Sequence, residues 1–203
     1  MSSILKVDEI QDTSGNNIIN ENANTVTIGK SGDTVNVVGT LQNGGTNFLQ
    51  GITHADQWRL TTSFSSDVLP MTNLEQNDNP SFTAIGTAMS VSSGIFTFPV
   101  TGIWLVSLHT EHYINGDDRE INGRIQVTQN NSTYVQVARG ASFINGVGNN
   151  THTSTDCSSI VDVTDTANVK VRFGVATDQS GTVTISDTNQ NVTFMTFVRL
   201  GDT

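Results

Sequence analysis

His109, Glu111 and His112 stand together in His-Thr-Glu-His, a grouping of side chains that can bind metals. A zinc site needs three or four convergent ligands. Successive side chains of a strand point to opposite faces, so His109 and Glu111 share one face and His112 takes the other. The order also differs from the His-Glu-x-x-His of a metalloprotease helix. Hard oxygen donors suit a metal better. Asp117 and Asp118 follow Gly116 in a loop after a long strand, and Asp162 and Asp165 lie near a hairpin. Ca²⁺ takes about six to eight oxygens from such loops, so Asp117 and Asp118 are the candidate ligands and Ca²⁺ is the cofactor they would hold. The alternative is that they are solvated turn acids.

Covalent chemistry finds less. Cys157 is the single cysteine and has no base beside it in Thr-Asp-Cys-Ser-Ser, which reads as a packed thiol. There is no Gly-x-Ser-x-Gly elbow and no phosphate-cradling loop. A pair of carboxylates distant in the chain stays open, as in a glycosidase, but no residue is assigned a catalytic role. Binding is better motivated. Residues 73–80, 113–118 and 142–155 are rich in Asn, Asp, Gly and Thr, and Tyr113, Asn115, Phe143 and His152 could stack on or hydrogen-bond to sugar hydroxyls. Plain solvated turns are the other reading.

These residues must be positioned by strands. From about residue 58 the chain alternates short apolar-polar runs with turn residues, giving candidate strands at 58–63, 82–90, 94–99, 102–112, 122–129, 133–139, 157–163, 168–177, 181–186 and 191–199. No segment has a capped period of 3.6. Ahead of them, residues 12–19 recur weakly at 29–37, an offset of 31 − 14 = 17 residues, each copy a Ser-Gly-Asn/Asp turn between short strands. Val26, Ile28, Val35 and Val37 alternate with polar residues, predicting half-buried strands too short to bury a core alone. Residues 41–56 read as a neck in which Asn43-Gly44-Gly45 breaks regular structure and Phe48, Leu49 and Ile52 pack.

The chain has 203 residues, 35% of them apolar, and 9 Lys+Arg against 19 Asp+Glu, a formal net charge of −10. That charge repels phosphate backbones and anionic headgroups, which argues against nucleic acid as a partner. No run is long enough to span a membrane, and the start lacks a signal-peptide apolar core. A fold without disulfides fits synthesis in a reducing cytosol.

Residues 91–107, with Gly94-Ile95-Phe96 followed by Pro99-Val100-Thr101-Gly102 and then Ile103-Trp104-Leu105-Val106, resemble the C1q/TNF-like jelly roll, and residues 191–200 resemble its closing strand. Residues 159–171 are similar to its penultimate hairpin, with Thr-Ala-Asn where the family usually has Gly-Asp. The likeness covers roughly residues 62–203. It implies an all-β antiparallel jelly-roll β-sandwich assembled as a homotrimer. The N-terminus resembles tailed-phage fibre proteins, in a Lys-Val-Asp-x-Ile start followed by Val-Thr-Ile-Gly-x-Ser-Gly-Asp-Thr-Val-Asn-Val.

The expectation is therefore an attachment and shaft segment at 1–40, a neck at 41–56 and a jelly-roll head at 57–203. The implied function is a non-catalytic phage virion fibre or receptor-binding subunit, made in the host cytoplasm. Its partners would be other copies of itself, virion proteins through the N-terminal segment, and a host-surface glycan or protein. A capsid decoration or head-fibre protein and a small virion polysaccharide depolymerase are the alternatives.

Overall fold

The computed structural model describes residues 9–11, 13, 17–22, 25–28, 31–38, 42–43, 46–47 and 51–203. The chain divides into two compact units, Met1–Gln50 and Gly51–Thr203. In the first, β1 (Glu9–Gln11), β2 (Asn17–Asn22) and β3 (Thr25–Ile28) form an antiparallel sheet in that order, and β4 (Gln42–Asn43) pairs with β5 (Thr46–Asn47). Val26 and Ile28 lie in β3, where the alternation expects them. Val35 and Val37 lie in no strand among the described residues, and the two side chains are 53% and 47% exposed. Alternation marks a strand only where a neighbour takes up its backbone hydrogen bonds. Residues 12, 14–16, 29 and 30 of the repeat, and Gly44, Gly45, Phe48 and Leu49 of the expected neck, lie outside the described residues; Ile52 is exposed.

The second unit has twelve strands: β6 (Ala55–Leu60), β7 (Phe64–Ser65), β8 (Leu74–Gln76), β9 (Ser90–Ser92), β10 (Ile95–Thr97), β11 (Gly102–Ile114), β12 (Asp118–Thr128), β13 (Tyr134–Ile144), β14 (Thr151–Val163), β15 (Lys170–Thr177), β16 (Val183–Thr184) and β17 (Phe194–Gly201). They build two antiparallel sheets. One runs β13-β12-β15-β10-β9; the other runs β7-β16-β11-β17-β6-β8, with β14 on the free side of β11. Among the described residues there is no helix.

The sheets close on an aromatic centre, as the alternation in β11 requires: Trp104, Val106 and Leu108 are buried and the residues between them are not. Phe96 lies 5.0 Å from Phe197 and 5.5 Å from Phe173, centroid to centroid, and Phe98 lies 5.3 Å from Trp104. Such tilted and edge-on contacts add to the burial energy of each ring. Ser93 and Gly94, both at positive φ, turn β9 tightly into β10, and a Cβ at Gly94 would overlap the carbonyl oxygen of Met71. Where β13 passes β14, a Cβ at Gly140 would likewise overlap the backbone of Asp156, so only glycine lets these two sheet edges touch.

Three expected segments differ, one of them the expected loop at 73–80, which holds β8. The strand at 82–90 is reduced to Ser90–Ser92, because the chain before it turns: the Asn79 carboxamide accepts the Ser81 N–H at 3.0 Å, and Gly86 adopts φ +68°. Conversely, the expected loop at 142–155 contains strand at both ends, leaving only residues 145–150 as loop.

Candidate functional site

The face of the seven-stranded sheet that points away from the aromatic core is organised in rows across β14, β11, β17 and β6. Cross-strand register places Ile160, Leu105, Val198 and Ala55 in one row. The next row is Ser158, Ser107, Thr196 and Gln57. Asp156, His109 and Phe194 follow, and His152 and Tyr113 form a pair at the far end. Directly opposed side chains in adjacent strands touch, so each row acts as a unit. The aliphatic row is open, with Ile160 65% exposed.

The ionic row is closely joined. His109 Nδ1 lies 2.7 Å from Asp156 Oδ1, and its ring packs 5.2 Å from Phe194. These groups line a depression of about 310 Å³ that Ser107 and Ser158 complete. A histidine-aspartate pair beside serines has two of the three parts of a nucleophilic triad. The third requires a hydroxyl hydrogen-bonded to the imidazole, and His109 makes no such bond among the described residues.

His112, three positions after His109 and one after Glu111, is sealed between the sheets at 0% exposure. Its Nε2 lies 2.7 Å from Thr110 Oγ1 and its Nδ1 3.1 Å from Thr184 Oγ1. Burial lowers its pKa to about 4; the Asp118 carboxylate opposes the shift and His109 adds to it. His109 and His112 therefore face opposite sides of one strand.

Among the expected site residues, the structure joins Tyr113 and His152, whose rings stack at 5.4 Å and 30°, with His152 Nδ1 3.3 Å from Glu111 Oε1. They sit on the sheet face, not in loops. Asn115 is exposed in the turn after β11, and Phe143 projects, exposed, near the end of β13. Asp117 Oδ1 accepts the Gly146 N–H at 2.6 Å, which ties that turn to the 145–150 loop. The two turns thus form one end of the sandwich, with the Tyr113–His152 stack at its base.

The expected calcium pair is corrected. Asp118 is fully buried, and its carboxylate accepts the N–H groups of Glu120 (3.2 Å), Asp178 (3.2 Å) and Gln179 (3.3 Å) and the hydroxyl of Thr182. It anchors the turn between β15 and β16, while Asp117 faces another loop, because adjacent residues at a strand start point opposite ways. Among the described residues no group of three or more His, Cys, Asp or Glu side chains gathers to hold a metal. Cys157 is half-buried with its Sγ 3.6 Å from the Gly123 carbonyl oxygen, and burial raises its pKa, so the thiol is a poor nucleophile.

Sequence reasoning missed the His109–Asp156 pair and the aliphatic row. Both lie in the alternation of β11, but the pairing of β11 with β14 is a matter of register, and Asp156 falls before the expected strand at 157–163. Buried Arg59 was missed too: it donates to Glu75 at 2.8 Å and to Asp78 and the Thr188 carbonyl, fastening two loops to β6.

Solved structures share this architecture. Murine APRIL at pH 5.0 superposes with a TM-score of 0.54 at 9% identity, over 72% of this chain and 98% of that one. Eiger TNF from S. frugiperda gives 0.56 at 13% identity, over 75% and 96%. No protein-family model and no curated protein matches the chain in sequence. At these identities the likeness is one of fold, and Gly51–Thr203 is an all-β, TNF-like jelly-roll sandwich.

Proposed function

We propose that the chain is a homotrimeric, non-catalytic, fibre-type subunit of a virion that attaches it to a host surface through the jelly-roll head. The observation that carries this reading is the aliphatic row Ile160–Leu105–Val198, set in register on a sheet face and open to water. Covering apolar surface is favourable by about 25 cal/mol per Å², and a second copy of the chain has matching apolar residues in Val135 and Val137 of β13, both exposed. Joining a face of one copy to an edge of the next is a heterologous contact, which forms a ring when its rotation closes and a filament when it does not. The TNF-like fold supports a three-membered ring.

The end formed by the 115–117 and 145–150 turns, with Tyr113, Asn115, Phe143 and His152, offers aromatic and amide groups to a host glycan or protein. Three linked heads turn weak single contacts into useful attachment. The absence of a hydroxyl bonded to His109 among the described residues and the raised pKa of Cys157 support a binding role over a hydrolytic one. The virion assignment rests on the fibre-like pattern of the N-terminal sequence.

Light scattering should give three times 21.7 kDa, and Ile160→Asp should give a monomer with unchanged circular dichroism. A monomeric parent protein would overturn the trimer. Immunogold label should fall on fibre tips; label confined to the capsid would mark a decoration protein instead.

A further inference from the structure

The chain is acidic, yet its cations gather on one sheet. Of its nine Lys and Arg residues, Arg119, Arg124, Arg139, Lys170 and Arg172 lie in β12, β13 and β15. Those strands and β9 and β10 together carry two acids, Asp118, which is buried, and Glu120; the other 19 − 2 = 17 lie elsewhere in the chain. Four of the cations share the face turned away from the core. Lys170 and Arg172 alternate with buried Val171 and Phe173. Arg124 alternates with buried Ile125, and register sets it opposite Gly174 on one side and Arg139 on the other.

Lys170, Arg172, Arg124 and Arg139 therefore form a diagonal stripe across three strands. Residues two apart along a strand are about 7 Å from each other and neighbouring strands about 5 Å, so the stripe is about 16 Å long. Like charges directly opposite each other, as Arg124 and Arg139 are, weaken a sheet. Only Arg139 is relieved by a carboxylate, Glu120, at 3.0 Å. Among the described residues, Arg124, Lys170 and Arg172 have no carboxylate within 4.0 Å. Neutral groups hold them instead. Arg172 donates Nε to Gln126 Oε1 at 2.9 Å and lays its guanidinium 4.0 Å over the Tyr134 ring. Lys170 donates to Thr97 Oγ1 at 3.0 Å and to the Thr166 carbonyl at 2.7 Å, and Arg124 donates to the Val175 carbonyl at 3.1 Å. This orients the charges without neutralising them, and a guanidinium has five N–H donors to offer.

We infer that this stripe is a binding surface for an anionic polysaccharide, one carrying carboxylate, sulfate or phosphate groups. The inference rests on the adhesive reading above for its purpose and supplies the ligand class. Gln126 and Thr97 beside the cations are suited to sugar hydroxyls. The one aromatic ring located on the stripe, Tyr134, lies beneath Arg172 and so presents no open face on which a nucleobase could stack. The stripe, with sugar-bonding neighbours and no open ring, therefore favours a charged sugar chain over a nucleic acid.

The test uses the full-length protein with heparin and alginate as polyanionic probes, neutral dextran as control, and single-stranded DNA and anionic lipid vesicles as competing classes. Binding to heparin or alginate is expected, falling steeply from 50 to 200 mM salt as counterion release requires. The double variant R124Q/R139Q should lose about tenfold or more in affinity and about two units of log–log salt slope, at unchanged oligomer mass and melting temperature. K170Q serves as a second variant should the double variant fold poorly. No polyanion binding at 50 mM salt, binding undiminished in the variants, or preference for DNA or vesicles would each overturn the stripe. Binding to neutral glycans that the variants retain would sink it while leaving adhesion standing; failure to bind any glycan or host cells would sink both.

Discussion

His112 should make the head sensitive to acid. In the unfolded chain its imidazole protonates with a pKa near 6.5; in the folded head burial holds it at about 4. Between those values the unfolded state binds a proton that the folded state refuses. The contribution is fully present above pH 6.5 and is lost as pH falls toward 4. Each pKa unit corresponds to about 1.4 kcal/mol, so the difference of 6.5 − 4 = 2.5 units amounts to about 3 kcal/mol. That is a large share of an ordinary domain's stability. Chemical unfolding of the parent and of His112→Gln, at fixed protein concentration and at pH 7.5 and 4, separates this histidine from the carboxylates common to both proteins. The parent should lose about 3 kcal/mol more than the variant over that interval. Parallel losses, or an NMR titration of His112 centred near 6.5, would refute the reasoning.

Gly140→Ala should destabilise the head by about 1–3 kcal/mol or more, since the new methyl meets the Asp156 backbone with no flexible group to yield; the unfolding midpoint measures it. Asp118→Ala should cost about 1–3 kcal/mol by leaving the N–H groups of Asp178 and Gln179 without their acceptor. Calcium should leave the parent's melting temperature unchanged, which differential scanning calorimetry can check.

The sandwich was legible because its strongest signals are local. Gly94 before Phe96, and Trp104 in a strand of strict alternation, express turn and core requirements within a few residues. The start of β14 was hidden for a physical reason. Thr155 is a buried strand residue whose hydroxyl lies 2.6 Å from Thr110 Oγ1, so its inward position carries no apolar mark. Val35 and Val37 differ the other way, showing alternation outside any strand among the described residues. Tyr113 and His152 carry the chemistry of binding-loop residues in sequence, but what brings them together is the cross-strand register of β11 and β14. The stripe was equally illegible, because only β12, paired with both β13 and β15, sets Arg139 and Lys170 at the two ends of one row.

The position of β17 also has a bearing on how the protein is made. Its residues occupy the slot between β6 and β11, and Gln57 bonds Thr196 across 139 positions of sequence. Until Phe194–Gly201 has left the ribosome, the larger sheet is split, with the inner edges of β6 and β11 unpaired and capable of pairing with other nascent chains. Closure of the sheet thus waits for the last strand of the head. A chain terminated before residue 194 would lack the strand that joins the two halves, so only full-length heads would be competent to assemble.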